Sequence, residues 1–201
     1  MFDAPVRQVL GRWLAPLARG LATSGVSPNA ITVGAAVIGV GAAGLVAFGR
    51  PVVGYAVWLV SRLLDAFDGI VARESGRATP FGGFLDITLD MVAYSAMVLA
   101  FAHRHPEHPL LWSGMVTGYL LVTTTTLALS SSLEARRAAV PGNDRSLQFT
   151  PGFAEAGETS LAYALLLLFP GAVVEIGWSW VVICFATVIQ RVLLARRLLR
   201  P

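Results

Sequence analysis

Lysine is missing from this sequence altogether: all fifteen basic residues are arginines. Cysteine occurs once, as Cys184 in an apolar run, which excludes an internal disulfide and any cysteine-based metal site. Charge is scarce as well. Only 13% of the 201 residues are charged, against roughly a quarter in an average soluble domain. With 55% hydrophobic residues and a mean hydropathy of +0.67, this balance points to the membrane. The net charge of +3 is no nucleic-acid signature, because no basic tract is interleaved with exposed aromatics. The first 22 residues carry Arg7, Arg12 and Arg19 without a long uncharged core, so no cleavable signal peptide is expected. No internal repeat, low-complexity tract or separate soluble domain is visible, and residues 1–201 read as a single membrane domain. The absence of lysine is consistent with a GC-rich bacterial source.

What is present is a series of apolar segments. Val6, Leu10, Trp13, Leu14, Leu17 and Leu21 recur every three or four residues with arginines between them. Residues 1–25 are therefore expected to form an amphipathic helix lying on the membrane surface. After the break at Ser24-Gly25-Val26-Ser27-Pro28-Asn29, six apolar segments follow at 30–49, 52–73, 83–103, 109–133, 156–174 and 175–195. Each is near the roughly 20 residues that a helix needs to cross the hydrocarbon core. The fold class expected is all-α: a polytopic membrane protein with six transmembrane helices over 26–201, plus the surface helix. Twelve arginines fall on the side of the N-terminus, two (Arg50 and Arg104) on the other, and Arg62 lies within the second span. The positive-inside rule then places both termini in the cytoplasm of a bacterial cytoplasmic (inner) membrane protein.

Four carboxylates interrupt this apolar chain: Asp65, Asp68, Asp86 and Asp90. Carboxylates among membrane segments are costly and need a compensating partner. Asp65 and Asp68 (i, i+3) share one helical face, as do Asp86 and Asp90 (i, i+4). Two helices presenting such pairs to each other make an oxygen-rich cage for hard divalent cations. Gly69, Ala72, Gly82 and Gly83 leave room for a ligand to approach the backbone, and Arg73 adds a positive charge. A cation cage with small clearance residues and an arginine suits a diphosphate.

Asp65-x2-Asp68-Gly69-x2-Ala72-Arg73-x8-Gly82-x3-Asp86-x3-Asp90 resembles the signature of the CDP-alcohol phosphotransferase family at every defined position. Ser27-Pro28-Asn29-Ala30-Ile31-Thr32 is similar to the segment that precedes the first span in that family. The resemblance covers essentially the whole chain. It implies transfer of a phosphatidyl-type group from a CDP-linked lipid donor, CDP-diacylglycerol foremost, to an alcohol acceptor in phospholipid synthesis, with release of CMP. It also implies that Asp65, Asp68, Asp86 and Asp90 hold two divalent cations, Mg²⁺ or Mn²⁺, on the donor diphosphate. Gly69, Ala72, Arg73 and Gly82 would shape the nucleotide site, with Asn29 and Thr32 as candidates near the phosphates. Asp90 is the candidate general base that takes the acceptor's proton. A homodimer is a further implication. No serine–histidine or cysteine–histidine pair suggests a covalent route. Two alternatives keep the carboxylates: a small cation or metabolite transporter, and a family member that hydrolyses the CDP-lipid diphosphate.

The acceptor is open. Glu155-Ala156-Gly157-Glu158-Thr159 looks like an E-x-G-E-T segment of a less characterised bacterial branch. Glu155 and Glu158 either face the cavity and help select the acceptor or serve as helix-start residues. Ile87 and Met91 follow the third and fourth aspartates, where phosphatidylglycerophosphate synthases typically have proline and lysine. Phosphatidylinositol-phosphate synthases carry arginine where Met91 stands, and the serine–phenylalanine–glycine run of phosphatidylserine synthases is replaced by Val92-Ala93-Tyr94-Ser95. Arg136, Arg137 and Arg145, in a polar stretch at 134–152, could meet a phosphorylated acceptor, but basic loops chiefly signal topology. The same holds for Gln190 and Arg191. His103, His105 and His108 with Glu107 read as a solvated loop. The hydroxyls at Thr123–Thr126 and Ser130–Ser132 and the Ala35/Gly39/Ala43 face read mainly as packing features, and the five tryptophans as interface anchors or packing residues.

Overall fold

The computed structural model describes residues 25–138 and 156–199, together with Gly20 and Ala154. The expected surface helix over 1–25 lies almost wholly outside the described residues. Among them there are six α-helices and no strand: α1 Pro28–Ala47, α2 Pro51–Glu74, α3 Pro80–Arg104, α4 Pro109–Ala138, α5 Ala156–Leu168 and α6 Val173–Leu198, with a 3₁₀ turn at Pro170–Ala172 before α6. The all-helical reading holds. Among the described residues, four segments are long and apolar enough to cross a membrane: Pro28–Ala47, Pro80–Arg104, Pro109–Arg136 and Pro170–Leu198. α2 has the length, with 24 residues, but Arg62, Asp65 and Asp68 interrupt its apolar run. α5 has only 13 residues, about 20 Å of helix against a hydrocarbon core of about 30 Å.

Proline and glycine set the boundaries. Four helices begin on proline (Pro28, Pro51, Pro80 and Pro109), whose fixed φ and missing N–H suit the first helical position. α1 and α2 each end in a pair of back-bonds around a glycine with positive φ. At the end of α1, Gly49 (φ +87°) donates to Val46 O and Arg50 donates to Leu45 O at 2.8 Å. At the end of α2, Gly76 (φ +65°) donates to Arg73 O and Arg77 donates to Ala72 O at 2.9 Å. Both are Schellman caps, which need a residue that tolerates the left-handed region. The expected fifth segment, 156–174, is cut short at Leu168. Pro170 keeps Phe169 out of the helical region, at φ −124° and ψ 66°. α4 runs five residues beyond the expected 133, because Glu134, Ala135 and Arg136 are good helix formers.

The chain divides into two compact units, one ending at Trp112 and the other starting at Ser113. In the first, α1 packs against both α2 and α3. The α1–α2 approach is close: a Cβ on Gly54 would stand 2.8 Å from Ala42 O and 2.7 Å from Val46 Cγ2. Trp58, Val71, Met97, Val98 and Phe101 are buried in this unit. In the second unit, Tyr119, Tyr163, Trp180 and Cys184 are buried, and the Trp180 indole N–H donates to the Tyr119 hydroxyl at 2.9 Å. Gly118 lies where a Cβ would meet Cys184 Cβ at 2.9 Å. Arg191 is buried and donates to Val122 O at 2.7 Å, so it ties α6 to α4. Thr125, Thr126 and Ser132 bond carbonyls of their own helix.

Candidate active site

The α2–α3 connection decides the site. The Schellman cap at Gly76 reverses the chain after Glu74, and Thr79 then opens α3 by accepting the Gly82 N–H at 3.0 Å. α2 and α3 both pack against α1, and the short turn sets the end of α2 and the start of α3 facing each other. As a result, carboxylate oxygens of Asp65, Asp68 and Asp86 lie within 4.8 Å of one another. Asp68 is buried, and its Oδ2 has no hydrogen-bond partner. An orphaned, buried carboxylate oxygen beside two further carboxylates is costly without a cation. The donor set is all oxygen, which suits Mg²⁺ or Mn²⁺. These residues fit a divalent cation.

Asp90 has a different partner. Its Oδ1 accepts a hydrogen bond from Nη1 of Arg62 on α2, and the same nitrogen lies 3.7 Å from Asp65 Oδ2. Spacing alone does not single out Arg62. The available signal was a charge in the middle of an apolar run, three residues before Asp65 on one helical face.

Beside the carboxylates lies a cleft of about 210 Å³. Its lining includes Asn29, Thr32, Gly69, Ala72, Arg73 and Gly82, all six of the expected nucleotide residues, together with Asp68 and Asp86. The glycines leave needed space. A Cβ on Gly82 would stand 3.1 Å from Asn29 Oδ1 and 3.3 Å from Thr79 Oγ1. A Cβ on Gly69 would stand 3.3 Å from Nη1 of Arg73, whose guanidinium covers that position. Thr32 spends its hydroxyl on Pro28 O at 3.1 Å, inside α1. Arg77 and Thr79 also line the cleft and were not expected there; Arg77 donates to Gly25 O at 3.4 Å.

The other expected residues belong to the second unit or lie outside the described residues. Glu158 lies in the first turn of α5. Arg136 donates to Leu198 O at 2.7 Å and closes the end of α6. Glu155, Arg145 and the side chain of Arg137 lie outside the described residues. Glu107 is 3.4 Å from His105 Nδ1 and 3.6 Å from His108 Nε2 in the α3–α4 turn. Its own backbone N–H, followed by the two histidines, holds its carboxyl below the usual range. Trp112 anchors that turn by donating to His105 O at 2.8 Å.

Clustered carboxylates beside a glycine-lined, arginine-bearing cleft in a helical membrane protein suit a phosphorylated ligand held with a divalent cation. The comparisons make this specific. Residues 25–192 match the model of the CDP-alcohol phosphatidyltransferase family, and the chain belongs to that family. It is an enzyme, a transferase of substituted phosphate groups, and a multi-pass membrane protein. It is similar to the inner membrane protein YnjF of Escherichia coli (strain K12), with 31% identity over 176 residues, 87% of this chain and 85% of that protein. Among solved structures, it resembles the phosphatidylinositol phosphate synthase of Mycobacterium tuberculosis with CDP-DAG bound. The TM-score is 0.64 at 25% identity, over 92% of this chain and 94% of that one. The same synthase in complex with manganese and citrate matches with a TM-score of 0.59 at 25% identity, over 90% and 88% of the two chains. Family membership decides against the transporter alternative.

Proposed function

We propose that this enzyme transfers a phosphatidyl-type group from CDP-diacylglycerol to an alcohol acceptor and releases CMP. The observation that carries this is the joining of two features in one place. Three carboxylates converge within 4.8 Å, and two of them, Asp68 and Asp86, also line the cleft of Asn29, Gly69, Arg73 and Gly82. Asp65, Asp68, Asp86 and Asp90 would hold two divalent cations, Mg²⁺ or Mn²⁺, which would supply neutralising charge for the diphosphate and the departing CMP. The bound CDP-DAG and manganese of the related synthase structures support this assignment. Arg73, with Gly69 and Gly82 clearing its surroundings, orients the nucleotide phosphates in the cleft. Asp90 receives the proton of the acceptor hydroxyl as the oxygen bonds to the β-phosphorus and the bond to CMP breaks.

The acceptor is an alcohol of open identity: Ile87, Met91 and Val92-Ala93-Tyr94-Ser95 depart from the named branches, and the E-x-G-E-T segment resembles a less characterised one. The family match, continuous over 25–192, supports reading the chain as a single family domain. The family resemblance supports a six-helix protein, with α2 long enough to be a further span. The arginine distribution supports cytoplasmic termini and a cleft open to the cytoplasm, and the family resemblance supports a homodimer.

The test is CMP release by purified protein with CDP-diacylglycerol and Mg²⁺ or Mn²⁺. Pooled acceptors would include glycerol phosphate, inositol phosphate, serine and a lipid alcohol. Release that depends on one pool is expected and names the acceptor class. Equal release without any alcohol would show a hydrolase instead. No release in any pool would overturn the donor assignment.

A further inference from the structure

We propose that Arg62 is the resident counter-cation of the aspartate cluster, a positioning residue that holds Asp90 and weakens the second divalent-cation site relative to the first. This rests on the metal reading above and goes beyond it. Three helices build the seat of this guanidinium. From α2 and α3, Trp58 and Tyr94 place their ring centroids 4.8 Å and 5.2 Å from its central carbon. Those two rings meet edge to face at 5.4 Å, and both are buried. Nη2 donates to Ser61 Oγ at 3.0 Å, and Ser61 in turn donates to Ala35 O of α1 at 2.8 Å. Gly39 of α1 completes the seat by having no side chain. A Cβ there would stand 2.8 Å from Ser61 Oγ and 3.7 Å from Arg62 Nη2.

A planar, weakly hydrated guanidinium is the cation that such an aromatic seat accepts. Nη1 then faces the cluster, bonded to Asp90 and 3.7 Å from Asp65 Oδ2. The four aspartates are thereby unequal. Asp65, Asp68 and Asp86 offer converging oxygens to a cation, whereas an oxygen of Asp90 can be shared only against the competition of Arg62. Close charge pairs of this kind couple strongly enough to separate two binding affinities by about tenfold or more. In the cation-free enzyme, the same guanidinium limits the mutual repulsion of Asp65 and Asp90.

The experiment is Mn²⁺ binding to the purified full-length protein without substrate, followed by the paramagnetic resonance of free Mn²⁺. Wild type is expected to show one tight and one weaker class. In Arg62→Met, the weaker class should tighten by about fivefold or more as its competitor is removed. The melting temperature of this variant in EDTA should fall, with Mn²⁺ recovering the loss. A binding curve that superposes on wild type overturns the proposal, as does a loss of stability that Mn²⁺ leaves untouched. If Arg62→Met does not fold, Ser61→Ala decides, because it removes only the hydroxyl under Nη2. Tightening of the weaker class supports the proposal, and an unchanged curve overturns it. Wild type that binds no Mn²⁺ at all would instead overturn the metal reading itself.

Discussion

At the scale of single residues, chemistry is concentrated in a few side chains that have no substitutes. Asp90→Asn keeps the shape of the side chain but removes its capacity to take a proton. Turnover is expected to fall by about a hundred- to ten-thousandfold, while helical content, measured by circular dichroism, stays at the wild-type level. Gly82→Ala acts through space alone. Its Cβ would press on Asn29 Oδ1 at 3.1 Å and Thr79 Oγ1 at 3.3 Å, so a weaker Kd for CDP with unchanged folding is the expected result in a titration. The convergence of Asp65, Asp68 and Asp86 was legible in the sequence because their spacing follows the helical period, whereas the six cleft residues came from the family resemblance and not from spacing. Arg62 was not legible in the same way. Its main partner, Asp90, is 28 positions away on another helix, and nothing in the periodicity of α2 points to that pairing.

At the scale of elements, the α2–α3 turn does most to create the site. Gly76 sits at φ +65°, and alanine there would be strained in the left-handed region. Gly76→Ala is expected to destabilise the protein by about 1 kcal/mol, and Thr79→Ala, which loses the α3 cap, by a similar amount of about 1 kcal/mol. Thermal unfolding in detergent reads both. Helix starts were close to legible, since Pro28, Pro51, Pro80 and Pro109 mark them in the sequence. Helix ends were less so. The apolar run of 156–174 continues through Phe169-Pro170-Gly171, so hydrophobicity alone carries α5 too far, whereas the backbone rule at Pro170 stops it at Leu168. For the tryptophans, the packing reading holds for three of the four described. Trp58, Trp112 and Trp180 are buried in packing, and only Trp178 of the described ones is substantially exposed.

At the scale of the whole molecule, ligand binding and orientation are the measurable properties. CDP at about a hundred times its Kd should add about 2.7 kcal/mol of stability. That gain is expected with Mn²⁺ or Mg²⁺ present and absent after EDTA treatment. Cys184, the lone cysteine, is fully buried, so introduced thiols can report topology on an otherwise silent background. Pro106→Cys in the α3–α4 turn should react with an impermeant maleimide from outside the cell. Ala78→Cys beside the cleft should react only after the membrane is opened. Both positions are exposed.

The charges of α2 also bear on how the protein enters its membrane. A helix with Arg62, Asp65 and Asp68 in its run is a poor candidate for independent partitioning, at about 2.5–3.5 kcal/mol for each charge near the centre. Its neighbour α1 carries no charged side chain and is joined to it by only Phe48, Gly49 and Arg50. The Gly54 contact already presses the two backbones together. Partition of the pair as one hairpin lets the apolarity of α1 offset the charges of α2. Arg62 then waits for Asp90, which leaves the ribosome later, so biogenesis of this enzyme has a built-in order in which α3 completes what the hairpin begins.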